Sequence, residues 1–297
     1  MHTIVGIGES LWDIFPDRKA IGGAPANFAY HCRSLGQEAY AVTALGRDAL
    51  GDELAAELDA RGLGRYLQRV DYPTGRVLVQ LREGLPSYEI KEDVAWDHIA
   101  YTEELAELAR RCDAVCFGSL AQRSPISAAT IQRFIQEMPA GSIKVFDINL
   151  RLHYYSREIV EQSLAHATIL KLNDEELPVV AELLNIHGTE QEICHTLLER
   201  YALDSLLLTR GALGVNVYYV TGSCYHPALP IEVVDTVGAG DSFTAAYLCA
   251  KLMGRSHAEA VHNASHLAAY VCTCRGAMPQ LPEELREGAA SAEAGQG

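Results

Sequence analysis

The sequence predicts an α/β protein: one large three-layer α/β/α domain on a mostly parallel central sheet, with a small β-sheet element projecting from it. Three observations predict this. Strand-like and helix-like segments alternate from residue 102 to 209, the order expected when helical crossovers cover both faces of a parallel sheet. Residues 66–96 break that rhythm with short alternating segments, interrupted by Gly84 and Pro86, which is a hairpin pattern. The chain has 297 residues, 48% apolar and 21% charged, enough to bury one such core.

Taken in order, Thr3-Ile4-Val5-Gly6-Ile7-Gly8 is a short apolar run, expected as a buried strand. Residues 24–35 read as a helix, with Pro25 tolerated in the first turn and Gly36 as its stop. A strand at 39–44 and a helix at 49–61 follow. After the hairpin region come helix 102–110, strand 113–118, helix 125–137 and strand 143–148. Helix 156–167, strand 168–172, helices 175–184 and 189–200 and strand 204–209 continue the pattern. Hairpin strands at 214–219 and 223–227 and helices near 241–252 and 257–274 complete it. The domain is expected to span residues 1–285, with the projecting β element drawn from 11–20 and 66–96. Residues 286–297, rich in Ala, Gly and Glu, are expected as a flexible tail.

Lys plus Arg number 24 and Asp plus Glu 39, a formal net charge of −15. That balance excludes a general binder of nucleic acid or of a membrane surface, either of which needs a basic face. It permits a local anion site, because a nest of backbone N–H groups can hold phosphate inside an acidic protein. No apolar run reaches the ~18–20 residues of a membrane span. The first residues lack the basic and long apolar regions of a signal peptide. The eight cysteines form no CxxC pair and read as reduced thiols of a cytoplasmic protein.

The segment richest in chemistry is Ile231-Glu232-Val233-Val234-Asp235-Thr236-Val237-Gly238-Ala239-Gly240-Asp241-Ser242-Phe243. It reads as a strand entering a Gly-Ala-Gly turn, with a helix starting near Asp241. A helix N-terminus offers unpaired N–H groups and a positive dipole end, so it attracts an anion. Gly238 and Gly240 would let backbone approach that anion and adopt strained φ values. Asp241 places a carboxylate beside the nest, where a base would deprotonate an incoming hydroxyl. An isolated Gly-x-Gly-Asp also fits an ordinary Asp-capped helix start.

The full run Asp-Thr-Val-Gly-Ala-Gly-Asp-Ser-Phe resembles the C-terminal signature of the PfkB (ribokinase-like) carbohydrate kinases. Gly22-Gly23-Ala24-Pro25-Ala26-Asn27-Phe28-Ala29 resembles the family's N-terminal signature, and Leu45-Gly46-Arg47-Asp48-Ala49-Leu50-Gly51 follows in the family's order. The resemblance runs from about residue 3 to 282. It implies a ribokinase-like, Rossmann-like domain with a β lid over a sugar, together with ATP and Mg²⁺. It makes Asp241 the catalytic base and Gly238, Ala239 and Gly240 the anion hole for the transferring phosphoryl group. There is no GxxxxGK[ST] P-loop, so no Walker lysine is present to position the phosphates.

On the substrate side, Asp13 in Gly8-Glu9-Ser10-Leu11-Trp12-Asp13 matches the family's hydroxyl-binding Asp. A carboxylate can accept two hydroxyl hydrogen bonds at once, although an Asp there also fits a surface turn. Gly22 and Gly23 would bring backbone near the sugar, and Asn27 can donate and accept to vicinal hydroxyls. Asp147-Ile148-Asn149-Leu150-Arg151 resembles the Asp-x-Asn-x-Arg segment of fructokinases and 2-keto-3-deoxygluconate kinases, with Ile148 where Pro is usual. Arg151 suits substrate oxygens or phosphate, and equally a nearby ion pair.

On the nucleotide side, Asn173-Asp174-Glu175-Glu176 matches the family's Asn-x-x-Glu motif, which would place Asn173 at ATP and Glu176 at Mg²⁺ through water. The same spacing fits plain helix capping. Thr209, Arg210 and Gly211 correspond to the phosphate-contacting Thr-x-Gly element, and Asn263 is a candidate for the adenine pocket. The region of Asp235 and Arg275-Gly276-Ala277 is a candidate site for a monovalent cation such as K⁺, as in some relatives. His262 and His266, spaced i,i+4, lack the further ligand a metal site needs.

The resemblance thus implies an ATP-dependent sugar kinase, most like a bacterial fructokinase making fructose 6-phosphate. Ribose, 2-keto-3-deoxygluconate or a nucleoside are alternative acceptors, and a non-catalytic sugar or nucleotide sensor is the alternative class. A homodimer formed through the lid strands is a family option. A nucleoside would need an aromatic slot, for which Tyr88 and Trp96 are the candidates. A keto acid would need a cation, from Arg76, Arg82 or Arg151.

Overall fold

Nine strands form the central sheet, in the order β13 (Gly222–His226), β12 (Val215–Tyr219), β11 (Ser205–Thr209), β10 (Ile169–Asn173), β9 (Ile143–Asp147), β8 (Ala114–Phe117), β1 (Thr3–Ile7), β4 (Glu38–Gly46) and β5 (Tyr66–Val70). All neighbours are parallel except β11–β12 and β12–β13, which form the antiparallel hairpin at one edge. A second sheet of four strands stands apart, in the order β3 (Lys19–Gly22), β2 (Leu11–Ile14), β6 (Arg76–Arg82) and β7 (Leu85–Ile90). This computed structural model describes residues 1–82 and 85–288, the side chains of 79–88 and 287–288 excepted. Most of the expected tail, residues 289–297, lies outside the described residues, as do the side chains of Arg82 and Tyr88.

The helices are α1 (Ala24–Ser34), α2 (Ala49–Ala60), α3 (Glu103–Arg110), α4 (Pro125–Glu137), α5 (Arg157–Leu164), α6 (Glu176–Leu183), α7 (Glu190–Tyr201), α8 (Ala239–Leu252), α9 (His257–Cys272) and α10 (Glu283–Gly288). The period-2 alternation of the strands assigns them to two faces. Ile4, Cys116, Val145, Ile169 and Leu207 pack with Phe28, Phe243, Leu248 and Leu267 of α1, α8 and α9. Val5, Val115, Phe146, Leu170 and Leu206 pack on the other side with Leu108, Phe134, Leu164, Val180 and Leu197 of α3 to α7. Both faces are covered, which is why these strands read as continuous apolar runs. Local caps set several helix starts. The Asp48 carboxylate accepts from the Gly51 amide (2.7 Å), and α7 and α9 open on Thr189/Glu192 and Ser256/Glu259 capping boxes.

Two expectations are corrected. Residues 66–70 pair in parallel with β4, so β5 belongs to the central sheet and the lid comprises residues 11–22 and 76–90. A strand spacing alone cannot distinguish a hairpin from a short edge strand. The run Ile231–Val234 is not a strand; Val233 and Val234 are more than half exposed, without sheet partners. The cysteines are free thiols, as expected, and among the described residues no helix is long and apolar enough to cross a membrane.

The end of β1 is brought close to α1 by a missing side chain. A Cβ at Gly6 would stand 2.0 Å from the Pro25 carbonyl oxygen. Gly6→Ala must therefore push α1 off the sheet, and urea unfolding should show a loss of about 1–3 kcal/mol, the usual cost of overpacking.

Candidate functional site

The C-terminal ends of β1, β9, β10 and β11 open into one cleft of about 870 Å³, closed on one side by the lid strands β2 and β3 and on the other by the N-terminus of α8. In open parallel sheets ligands bind at this end, where the connections diverge. Asp13, Gly22, Gly23, Asn27, Arg151, Asn173, Glu176, Thr209, Gly211, Gly238, Gly240 and Asp241 all line it. Residues far apart in sequence thus meet in one place.

The α8 terminus is the centre of the cleft. Gly238 is its cap, with φ of 79°, a left-handed conformation that suits glycine. Helix α8 begins at Ala239, two residues before the expected start, so Asp241 sits in the first turn. The first intrahelical bond runs from the Ser242 amide to the Gly238 carbonyl (2.9 Å), leaving the Gly240 and Asp241 amides outside the ladder. The Ala239 amide is already donated to the Thr236 carbonyl (3.2 Å), and Ala239 is not part of the cleft wall. Gly240, against expectation, has no positive φ. Its missing side chain matters for another reason: a Cβ there would lie 3.1 Å from the Lys171 ammonium.

Asp241 accepts a hydrogen bond on Oδ2 from Asn27 Nδ2 (2.7 Å), which fixes the carboxylate across the cleft from α1. Burial and the neighbouring Asp147 charge push the Asp241 carboxyl up to about 6, against the pull of Asn27, Lys171 and Arg151. Asn27 is buried, and its Oδ1 has no hydrogen-bond partner. Asp13 is also pushed up to about 6, by burial, with Arg151 opposing. Its carboxylate stands against Gly22, where a Cβ would meet Asp13 Oδ2 at 2.5 Å. Gly23, with φ of 117°, gives way instead to the Glu9 carbonyl. Trp12 is buried against α2, whereas Phe15 reaches the cleft wall.

The Asn-x-x-Glu pair is a reciprocal cap. Asn173 Oδ1 accepts from the Glu175 and Glu176 amides (2.9 and 2.8 Å). Glu176 Oε2 accepts from the Asn173 amide (2.8 Å) and Oε1 from the Leu150 amide (2.8 Å). The carboxylate thereby ties the end of β10 to the loop after β9, and burial pushes its pKa up. That loop is bent, with Asn149 at φ 43° and Leu152 at φ 49°. Arg151 itself is exposed and reaches back to the Leu150 carbonyl (3.0 Å). Its charge favours the ionised forms of Glu9, Asp13 and Asp241 alike.

Besides Ala239, two expected residues are not brought to the cleft wall. The Arg210 guanidinium is engaged by Glu190 and by Asn216 Oδ1 (3.0 Å), so its charge is already paired. Asn263 on α9 lines a separate small depression with Leu35, Ala246 and Leu267. Asp235 accepts from the Val237 and Gly276 amides (3.1 Å each) and so links the loop before α8 to residues 275–277. Among the described residues no cluster of His, Cys, Asp and Glu suits a metal ion held by protein groups alone.

Two cleft residues, Glu9 and Lys171, were not singled out from the sequence, and neither was the pairing of Lys171 with the Asp147 of the Asp-x-Asn-x-Arg segment. Glu9, just past β1, is buried with Oε2 unpartnered, and burial pushes its carboxyl up to about 7. Asp147 and Lys171 face each other across β9 and β10, with Lys171 Nζ 2.9 Å from Asp147 Oδ1. A charge inside an otherwise apolar strand, as in Ile169-Leu170-Lys171-Leu172, is the signal that could have found Lys171.

A model of the pfkB family carbohydrate kinases matches residues 15–284. The chain is 30% identical to a fructokinase of rice (Oryza sativa subsp. japonica) over 96% of both chains. It is 27% identical to the aminoimidazole riboside kinase of Salmonella typhimurium, over 95% of this chain and 92% of that one. A sugar kinase from Pyrococcus horikoshii, solved in complex with ATP, superposes with a TM-score of 0.81 at 26% identity, covering 96% of this chain and 99% of the other.

The Asn27 bond holds the Asp241 pKa down, so removing it must raise that pKa. Carboxyl ¹³C NMR should find Asp241 titrating near 6 in the native protein, and clearly higher in Asn27→Ala.

Proposed function

This chain belongs to the pfkB family of carbohydrate kinases, and on that premise we propose that it is a fructokinase, transferring the γ-phosphoryl group of ATP to the primary hydroxyl of D-fructose to give fructose 6-phosphate. The observation that carries this reading is the Asp241 carboxylate beside the open amides of the α8 N-terminus, between a wall bearing Asp13 and Asn27 and a wall bearing Asn173 and Thr209. The first wall suits a small polyol and the second a nucleotide.

In this reading Asp241 takes the hydroxyl proton, and the freed oxygen attacks the γ-phosphorus. The bond from that phosphorus to the β–γ bridging oxygen breaks, and the electron pair leaves on ADP. The Gly240 and Asp241 amides, with Gly238 forming the turn, receive the charge on the phosphoryl oxygens. Asp13 and Asn27 Oδ1 bind acceptor hydroxyls, with Gly22 and Gly23 keeping the backbone near and Arg151 completing the ring. Asn173, Thr209 and Gly211 border the nucleotide. Glu176 offers only hard oxygen donors and is already anchored by two amides, which fits a cation held through water. Mg²⁺ bound there would neutralise phosphate charge. K⁺ beside Asp235, a cytoplasmic location and pairing of two lids into a homodimer belong to the same reading.

Other acceptors are weighed against the same cleft. Trp96 is fully buried in the core, so it offers no slot for a nucleoside base. Glu9, Asp13 and Asp241 together disfavour a carboxylate-bearing acid, which supports a neutral sugar. The riboside kinase relative keeps a riboside as the second acceptor to test.

A coupled ADP-release assay with Mg-ATP and fructose, ribose, glucose, mannose, 2-keto-3-deoxygluconate, adenosine and inosine should give the highest kcat/KM for fructose. Preference for another member would overturn the fructose assignment and keep the kinase. Asp241→Asn should lower kcat by about 1,000-fold or more without weakening ATP binding. Because the base must be ionised, kcat/KM should fall as pH drops through about 6, the Asp241 value. Asp13→Asn should raise the acceptor KM about tenfold, leave the ATP KM unchanged and retain that acidic limb.

A further inference from the structure

A lysine inside a buried strand needs a reason, because burial penalises the ammonium. Lys171 is the third residue of β10 and only 7% exposed. Leu170 and Leu172 on either side face the α3–α7 layer, while Lys171 points with Ile169 toward α8. Asp147 lies directly opposite in the strand register and accepts the ammonium's single hydrogen bond, at 2.9 Å. Thr244 Oγ1, from the second turn of α8, reaches the other Asp147 oxygen at 3.4 Å. The ammonium rests against Gly240, and both Lys171 and Gly240 line the cleft.

We propose that Lys171 is the fixed cation of the phosphoryl-transfer site: anchored by Asp147 under the first turn of α8, its ammonium offsets the negative charge that gathers on the transferring phosphoryl group. This rests on the phosphotransfer reading of the same cleft. Among the described residues the other cations near the cleft are exposed or already engaged: Arg18 is exposed and stacks on Phe15. There is no P-loop lysine, the Arg210 charge is paired with Glu190, and Arg151 lies exposed among the acceptor-side acids. A fixed cation at Lys171 also explains Gly240 as the residue that leaves room for the ammonium, rather than one chosen for an unusual backbone. Asp147, then Glu176 and Asp241, outweigh burial and hold the Lys171 pKa up, so the group stays charged across the working range.

A purely structural ion pair could be replaced by apolar side chains without functional loss, and that difference is the test. Lys171→Met is compared with the double variant Lys171→Met/Asp147→Leu, which removes both charges and leaves none unpaired. The double variant should fold with a Tm near that of the native chain. In both variants kcat should fall about 100- to 1,000-fold, with KM for ATP and for the acceptor changing less than about threefold. Binding of ADP with fluoroaluminate in the presence of acceptor, a mimic of the transferring phosphoryl, should be lost, while binding of ADP alone persists. A folded double variant with near-native kcat, or with intact fluoroaluminate binding, overturns the proposal. If Lys171→Met alone unfolds, the double variant decides. A native chain inactive on the whole acceptor panel would instead count against the kinase reading, and is seen before any variant is made.

Discussion

The rest of the site depends on how the first turn of α8 sits over the ends of β9 and β10. The contact is made by a cross-strand ion pair, Lys171 with Asp147, and by a glycine that leaves the ammonium space. With that seat in place the Gly240 and Asp241 amides open into the cleft, and the helix dipole points at whatever anion enters. Removing one charge alone would strand the other in a dry interior, which is costly. The pair therefore has to be kept or lost as a unit.

The acids around this seat share an electrostatic pattern. Burial raises Glu9, Asp13 and Asp241 together, and the Arg151 charge opposes the rise in all three. A carboxylate raised toward neutrality is a stronger base when ionised, and near pH 7 it still is ionised if its pKa is about 6. The Asn27 amide settles the orientation of Asp241 and tempers its pKa. One residue of the N-terminal motif is thus physically joined to the C-terminal motif, across the 214 positions that separate them.

Much of the fold was legible. The alternation of buried strands with amphipathic helices placed nearly every element of the central sheet, because strands covered on both faces must be apolar throughout. It misplaced Tyr66–Val70, since a short alternating run looks the same at a sheet edge as in a hairpin. It made a strand of Ile231–Val234, since apolar, β-branched composition does not reveal whether a sheet edge is available to pair with. In the site, Asp13, Asn27, Gly238 and Asp241 could be found because they stand in long contiguous motifs. Glu9 and Lys171 gained their importance only from burial and from neighbours on other elements, as did the pairing of Lys171 with Asp147.

The sequence by itself determined the layer architecture, the family and the residue types gathered at the strand ends, because periodicity and contiguous motifs are written along the chain. Only the tertiary structure decided which of those residues meet. It tied Asn27 to Asp241, committed Glu176 to two amides, paired Arg210 with Glu190 and set Asn263 apart from the cleft. It also showed that Gly240 answers to a lysine about seventy residues away and not to its own backbone. Such relations depend on distances through space and on the removal of water. Neither is a property of local sequence.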